Sequence, residues 1–448
     1  MRFRILRAAI ALGAALPAPA SALTLGECLA LARAHAPALE AATADVSRAR
    51  GVVGEARAAG HPTLRLDASY LQNSEAPKQV FDLPGLPPAQ AHQVIDLGTA
   101  NTLDVRTQAR YTLYSGGRNG ALVRAAQAGV SAEESAHGQA DADLALRVAQ
   151  AFYREASAAR LVQASEEALA SARVHLGVAQ ARVNAGVVPK LDALRADVDA
   201  TAREITLVRA QEARRMARAD LEATIGVPLD AADTLVVPEP DVAAPPDSSR
   251  ALADAIAARP EIAALDRQIE QARHQVVAAR AGRRPQVSLA GTAEYRGPNK
   301  NRDYLDFDDP GLKTYNLSAA LELGLPIFDG GLTSSRVSQR QAEQAALEAR
   351  RRGAALTVER EVRQAFSDLR IAVVEWQSNE ARLRSAREAT RLAEAAYKGG
   401  TGTATDVRDA ETALADARAE QARSLMDYWS ARAALDHATG RLSTERER

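Results

Sequence analysis

The stretch from Lys398 to Asp409, Lys-Gly-Gly-Thr-Gly-Thr-Ala-Thr-Asp-Val-Arg-Asp, holds the side chains best placed for chemistry. Asp406 and Asp409 are three residues apart, so on a helix they share one face and present two carboxylates together. Carboxylates grouped on a low-dielectric wall attract cations and repel anions, because the wall focuses their field. The competing reading is local: an acidic residue just past a turn caps the helix beyond it, worth ~1 kcal/mol. Asp192 occupies the matching place in an earlier turn, where Pro189 also marks a helix start, and both roles can coexist there. Little else is reactive. The 7 histidines are scattered, and the 1 cysteine, Cys28, excludes an internal disulfide framework and any multi-cysteine metal site. No P-loop, no dinucleotide fingerprint and no nucleophile elbow is present. Gly399-Gly400-Thr401-Gly402 lacks the Lys-Ser/Thr that would hold a phosphate. These absences predict no catalysis, no cofactor and no bound metal. With 56 Lys+Arg against 57 Asp+Glu the net charge is −1, so no nucleic-acid surface is expected either.

The elements that must position these residues come twice. Tyr114-Ser115-Gly116-Gly117 aligns with Phe328-Asp329-Gly330-Gly331 at an offset of 214, and the same offset carries Gln150-Ala151-Phe152 onto Gln364-Ala365-Phe366, Gly186 onto Gly400 and Asp192 onto Asp406. Upstream, Pro37 matches Pro260 and Pro62 matches Pro285 at an offset of 223, so the first copy has the longer loop between about residues 70 and 114. The chain therefore reads as two copies of one helix-strand-strand-helix-helix unit, at 23–226 and 249–440. A Pro- and Asp-rich linker, 227–248, joins them, and a tail covers 441–448.

In each copy a first helix (about 25–60 and 250–282) is stopped by Pro62 or Pro285, which force an extended entry into the next segment. Beyond two strands in each copy, long helices run about 118–185 and 332–398, near 67 residues or ~100 Å each. Closing helices run about 191–225 and 405–439. An apolar content of 46%, much of it alanine, suits long helices packed closely side by side. Between the helices the hydrophobic period changes from 3.6 to 2. Strands at about 63–71, 102–114, 286–296 and 314–327 alternate apolar with polar residues, as Leu64, Leu66, Ala68 and Tyr70 do with Arg65, Asp67 and Ser69. Roughly ten residues with one apolar face are the proportions of transmembrane β-strands. Tyr70, Tyr111, Tyr295 and Tyr315 fall in these windows, where they read as a membrane-interface girdle or as plain β-propensity. Four strands cannot close a membrane barrel, so further strands must come from other copies. At the start of the chain, Arg2, Arg4 and Arg7, the apolar run 8–16 and Ala20-Ser21-Ala22 read as a cleavable export signal over 1–22.

The duplication, the Leu-x-x-Cys-Leu-Ala-Leu-Ala-x-x-x-x-Pro start from Leu25 to Pro37, the Tyr-x-Gly-Gly strand exits and the Gly-x-x-x-x-x-Asp turns together resemble the TolC family of outer-membrane efflux proteins. The resemblance implies a homotrimer in the outer membrane, in contact with its lipid, with a twelve-stranded β-barrel continued by a twelve-helix periplasmic α-barrel. The linker would lie in an equatorial belt. It implies a passive exit duct serving an efflux or type I secretion system, with a periplasmic adaptor and an inner-membrane transporter as partners. On that pattern Asp406, Asp409 and Asp192 form the channel constriction. Gly186, Val187, Val188, Gly400, Thr401 and Gly402 are the periplasmic tips that contact the adaptor, and 72–101 and 297–313 are extracellular loops. Tyr397 matches a gate residue, but Gly402 stands where the family's prototype has a latch arginine, so Arg408 is the nearby candidate partner. A soluble periplasmic coiled-coil adaptor or scaffold is the alternative; it accounts for the helices but not for the strands.

Overall fold

The computed structural model describes residues 22–75, 78–82, 87, 92–96, 101–230, 233–240, 248–298, 314–399 and 401–441. Most of the export-signal segment, Gly400, the segment 299–313 and the last seven residues lie outside them. In chain order the elements are β1 Ala22–Leu23, α1 Leu25–His35, α2 Pro37–Ala58, β2 Thr63–Gln72, β3 Lys78–Asp82, β4 His92–Asp96, β5 Asn101–Tyr114, α3 Arg118–Asn184 and α4 Lys190–Ile225. Then come β6 Thr234–Leu235, α5 Ser248–Ala258, α6 Pro260–Arg280, β7 Gln286–Pro298, β8 Thr314–Gly324, α7 Leu332–Lys398 and α8 Ala404–Ala438. They group into two compact units, one of residues 46–132 and 265–350, the other of the remainder.

The first unit contains a four-stranded antiparallel sheet in the order β2-β5-β7-β8. Its register keeps every charged side chain on one face. Tyr70 pairs with Leu103, Val105 with Tyr295 and Tyr295 with Tyr315, all on one face. Asp67 pairs with Arg106 and Arg106 with Glu294 on the other. A one-residue slip would mix the two sets, so this pairing is strongly specified. On the polar face Arg106 meets Glu294 at 3.1 Å and Arg296 meets Asp104 at 2.9 Å. The apolar face is bare: Leu317 is 85% exposed and Leu64 76%. At the exit of β5, Gly116 takes φ +65°, and a Cβ there would lie 2.7 Å from the Arg284 Cβ, so only glycine fits. The equivalent exit from β8 uses Gly330 and Gly331 at φ +61° and +86°.

The second unit holds two cores that repeat each other. Leu144, Val148, Phe152 and Leu221 belong to one cluster, and Val358, Val362 and Leu435, with Phe366 packed against them, to the other. At the offset of 214 these are the same positions, filled with residues of like size. Burying each side chain stabilises the bundle by about 1.5–3 kcal/mol, an upper estimate.

Four features depart from the sequence reading. The first helix of each copy is two helices, broken at Ala36 and at Arg259. A residue before proline is pushed out of the α region, whereas proline itself fits the first turn of the next helix. Ala36 accordingly has φ −72° and ψ 120°. The segment 72–101 is more than a loop, since β3 and β4 pair antiparallel within it. The start of the chain also pairs with the linker: β1 lies parallel to β6, and the Val236 N–H donates to the Leu23 carbonyl. One strand is shorter than expected, ending at Gly324 rather than near 327.

Candidate functional site

The two helix turns of the second unit bring the sequence-selected residues together. After α3 the backbone closes with the Val187 N–H on the Arg182 carbonyl at 3.0 Å, and Gly186 at φ +73° permits it. After α7 the Thr401 N–H bonds to the Ala396 carbonyl at 3.0 Å. Both are bonds spanning five residues, which satisfy carbonyls left over at a helix end.

Asp406 works first as a cap. Thr403 and Asp406 form a capping box: the Asp406 N–H donates to the Thr403 hydroxyl oxygen at 3.2 Å, while the Asp406 carboxylate accepts from the Thr403 N–H at 2.9 Å and from its hydroxyl at 2.7 Å. These bonds, the backbone one foremost, hold the Asp406 carboxyl below the usual carboxylate range. The side chain is nevertheless exposed, as is Asp409, whose Oδ1 lies 3.4 Å from Arg408 Nη2. Asp192 has a different setting. Pro189 is the N-cap of α4 and no side chain caps that helix, so Asp192 stays half-buried, lining a cavity of about 380 Å³.

This cavity is lined by all four helices that end at the turns, with Val178, Asp192, Tyr397 and Val407 among its walls. Tyr397 is engaged by Arg182 of α3, not by Arg408. The Arg182 guanidinium donates to the Tyr397 hydroxyl and lies 4.5 Å from the ring centroid. One turn deeper, Glu411 Oε1 accepts from the Ser171 hydroxyl at 2.6 Å and lies 2.6 Å from His175 Nε2. Arg182, Ser171, His175 and Glu411 were not singled out in the sequence. Their partners lie more than two hundred residues away, and the only local signal is a polar stripe at 171, 175 and 182 on an alanine-rich helix.

Val187 is 72% exposed, and Thr401 is exposed at the other turn. Of the girdle candidates, Tyr70, Tyr111 and Tyr315 are exposed on the sheet, and Tyr295 packs on Tyr315 with ring centroids 5.1 Å apart. Among the described residues no three His, Cys, Asp or Glu side chains converge as for a metal ion. Nor is any helix among them long and apolar enough to cross a membrane.

A family model described as outer membrane efflux protein matches residues 28–227 and 251–441. Protein CyaE of Bordetella pertussis is 29% identical over 366 residues, covering 81% of this chain and 72% of that one. The alkaline protease secretion protein AprF of Pseudomonas aeruginosa is 26% identical over 316 residues, 66% of this chain and 61% of its own. Among solved structures, the outer membrane protein VceC of Vibrio cholerae superposes with a TM-score of 0.72 at 22% identity, over 93% of this chain and 96% of that one.

Proposed function

Because the chain belongs to the outer membrane efflux protein family, we propose that three copies of it assemble into one exit duct through the outer membrane. The protein is an outer-membrane efflux channel with a periplasmic extension, and not an enzyme. The observation that carries the trimer is the sheet. Its exposed face is apolar, its edge strands β2 and β8 have no further partner strand among the described residues, and an unpaired edge cannot stand in lipid. Three copies of a four-stranded sheet close a twelve-stranded barrel wide enough for a lumen. A soluble coiled-coil adaptor would have no use for that face.

The helices support the same assembly. Leu191, Leu194, Val198, Ile205 and Val208 of α4 are all at least half exposed in the single chain, and their spacing is that of a heptad seam. A neighbouring copy would cover them within a twelve-helix periplasmic barrel. At its narrow end Asp406, Asp409 and Asp192 would ring the entrance. Gly186, Val187, Val188, Thr401 and Gly402 would meet a periplasmic adaptor that hands over substrate from an inner-membrane transporter. Gly400, at the apex of the second turn, lies outside the described residues.

Mass measurement in detergent together with planar-bilayer recording tests this reading. A folded trimer with discrete conductance is expected; a stable β-containing monomer would remove the basis for barrel closure.

A further inference from the structure

The four points where the sheet passes into helix all lie at one of its ends, because β2 and β7 start there and β5 and β8 finish there. That end is crowded with arginine. Arg57 precedes β2, and Arg118 and Arg124 follow β5. Three more, at 280, 283 and 284, precede β7, and Arg336 and Arg340 follow β8. All eight are exposed. Even Arg340 stands only eight residues into α7, ~12 Å along its axis. Segments 55–62, 115–124, 278–285 and 329–340 hold just two carboxylates beside these eight arginines, a net charge of +6 in a chain whose total is −1. The segments that join the strands at the other end, 73–100 and 299–313, sum to −3.

The arginines are also short of partners within the chain. Of the two carboxylates, Asp329 is already engaged by the Gly331 and Thr333 N–H groups at 3.1 and 2.9 Å. Arg284 donates to the Gly116 carbonyl, and Arg340 holds Glu343 at 2.7 Å. Arg57, Arg118, Arg124, Arg280 and Arg336 have no carboxylate within ion-pair distance among the described residues. In the second unit, by contrast, exposed arginines pair along their own helix, as Arg384 does with Glu380 at 2.9 Å and Arg423 with Glu420 at 2.7 Å. The apolar face of the sheet runs right up to the arginines: Ile327 and Phe328 are 96% and 89% exposed just before one Gly-Gly exit, and Tyr114 is half exposed just before the other. Aromatic side chains closing an apolar band, with cations immediately beyond, have the layout of a membrane–water boundary.

We propose that this arginine band is a lipid-binding surface, which takes the phosphate headgroups of anionic phospholipids in the periplasmic leaflet of the outer membrane. The proposal goes beyond the channel reading and rests on it in one respect, that the sheet is the membrane wall and the helices lie on its periplasmic side. A guanidinium presents its donors in a fork that matches phosphate. Cations at a membrane surface draw anionic lipid over about one screening length, which the short reach of these helix ends satisfies.

Chain-spin-labelled lipids, added to the full-length protein in phosphatidylcholine vesicles, report which headgroups lie against it. In low salt the motionally restricted fraction should favour labelled phosphatidylglycerol over labelled phosphatidylcholine by about three- to fivefold. The preference should fall to near unity in about 1 M salt, where the screening length is about 3 Å. R57Q/R118Q/R280Q/R336Q should remove most of it and leave the restricted phosphatidylcholine unchanged. Each single substitution should lower it by a smaller step, which keeps the test decisive if the fourfold variant does not insert. R340Q, whose arginine already holds Glu343, should change it little. Equal contact with both headgroups in the wild type, wild-type preference in the fourfold variant, or displacement of the labelled lipid by inorganic phosphate at matched ionic strength would overturn the lipid site and leave the channel standing. No restricted lipid of either kind would instead overturn the reading of the sheet as a membrane wall, and this proposal with it.

Discussion

In the turn after α3 the Val187 N–H reaches back to Arg182, and 214 residues later the Thr401 N–H reaches back to Ala396, each at 3.0 Å. The backbones agree; the side chains do not. Pro189 opens the first closing helix without a side-chain cap, where Thr403 opens the second with a full capping box. Asp192 and Asp406 correspond, yet Arg195 stands opposite Asp409, Ala396 opposite Arg182 and Val183 opposite Tyr397. Below the turns the two cores hold like residues at like positions. Duplication therefore kept what packs and let the tip diverge. A contact such as Arg182 on Tyr397 needs that divergence, because each repeat supplies only one partner.

The strongest way to break this comparison is in the cores. Leu221 and Leu435 are equivalent and both fully or nearly fully buried. Leu221→Ala and Leu435→Ala should each cost about 2–5 kcal/mol, with the melting temperature of the protein lowered by similar amounts in the two variants. A large loss from one and almost none from the other would mean that the repeats share a pattern but not its energetics.

The tip should respond in selectivity rather than stability. Replacing Asp406 and Asp409 together by Ala should reduce cation preference several-fold and relieve block by trivalent cations, since in the proposed trimer six carboxylates on a narrow neck would focus a negative field. Asp192→Asn should shift selectivity less, because Arg195 takes the place that Asp409 has in the second repeat. If the double variant melts lower but selects ions as the wild type does, capping is the whole role of these residues.

Much of this was legible in the sequence, for identifiable reasons. A repeat offset survives any packing, and the switch from period 3.6 to period 2 pointed to β2, β5, β7 and β8 because one sheet face is mostly apolar and carries no charge. The breaks at Ala36 and Arg259 were also written in the chain, in Pro37 and Pro260, but a proline opening a helix looks the same as one inside it until the preceding residue is seen extended. The pairing of β1 with β6 carries no local signal, and the polar stripe at 171, 175 and 182 does not name Tyr397 as the partner of Arg182. Both join residues about two hundred positions apart, and only tertiary structure selects them. Asp406 lies between these cases: its position was readable, but the Thr403 bonds that engage its carboxylate were not.

The caps themselves offer a smaller test. Thr403→Ala should cost about 1 kcal/mol of local helix stability, read as faster amide exchange over the first turn of α8. Pro189→Ala removes no cap hydrogen bond, so its effect should come through the unfolded chain alone, about 0.4–1 kcal/mol. Equal fraying of both helices after Thr403→Ala would show that the box is dispensable.

The smallest expected effect is a pH response confined to one turn. The folded Asp406 carboxyl is held below its ordinary value by the Thr403 bonds, so it binds its proton less readily in the fold than in the unfolded chain. Its contribution is then complete above the ordinary aspartate value of about 3.9 and is lost as pH falls through the lower, folded value. Nitroxide labels on Val187→Cys and Thr401→Cys, at equivalent positions of the two turns, report this directly. The native Cys28 does not compete for the label: burial, with the nearby Glu27 charge second, pushes its thiol up to about 11. Acidification from pH 6 to pH 3 should mobilise the label at 401 and leave the one at 187 unchanged, because α4 has no side-chain cap to lose. Asp406→Asn should remove the difference, since an amide keeps its capping oxygen at every pH. Both labels loosening together, or the 401 response persisting in Asp406→Asn, would place the acid sensitivity in the helix bundle at large and not in the box.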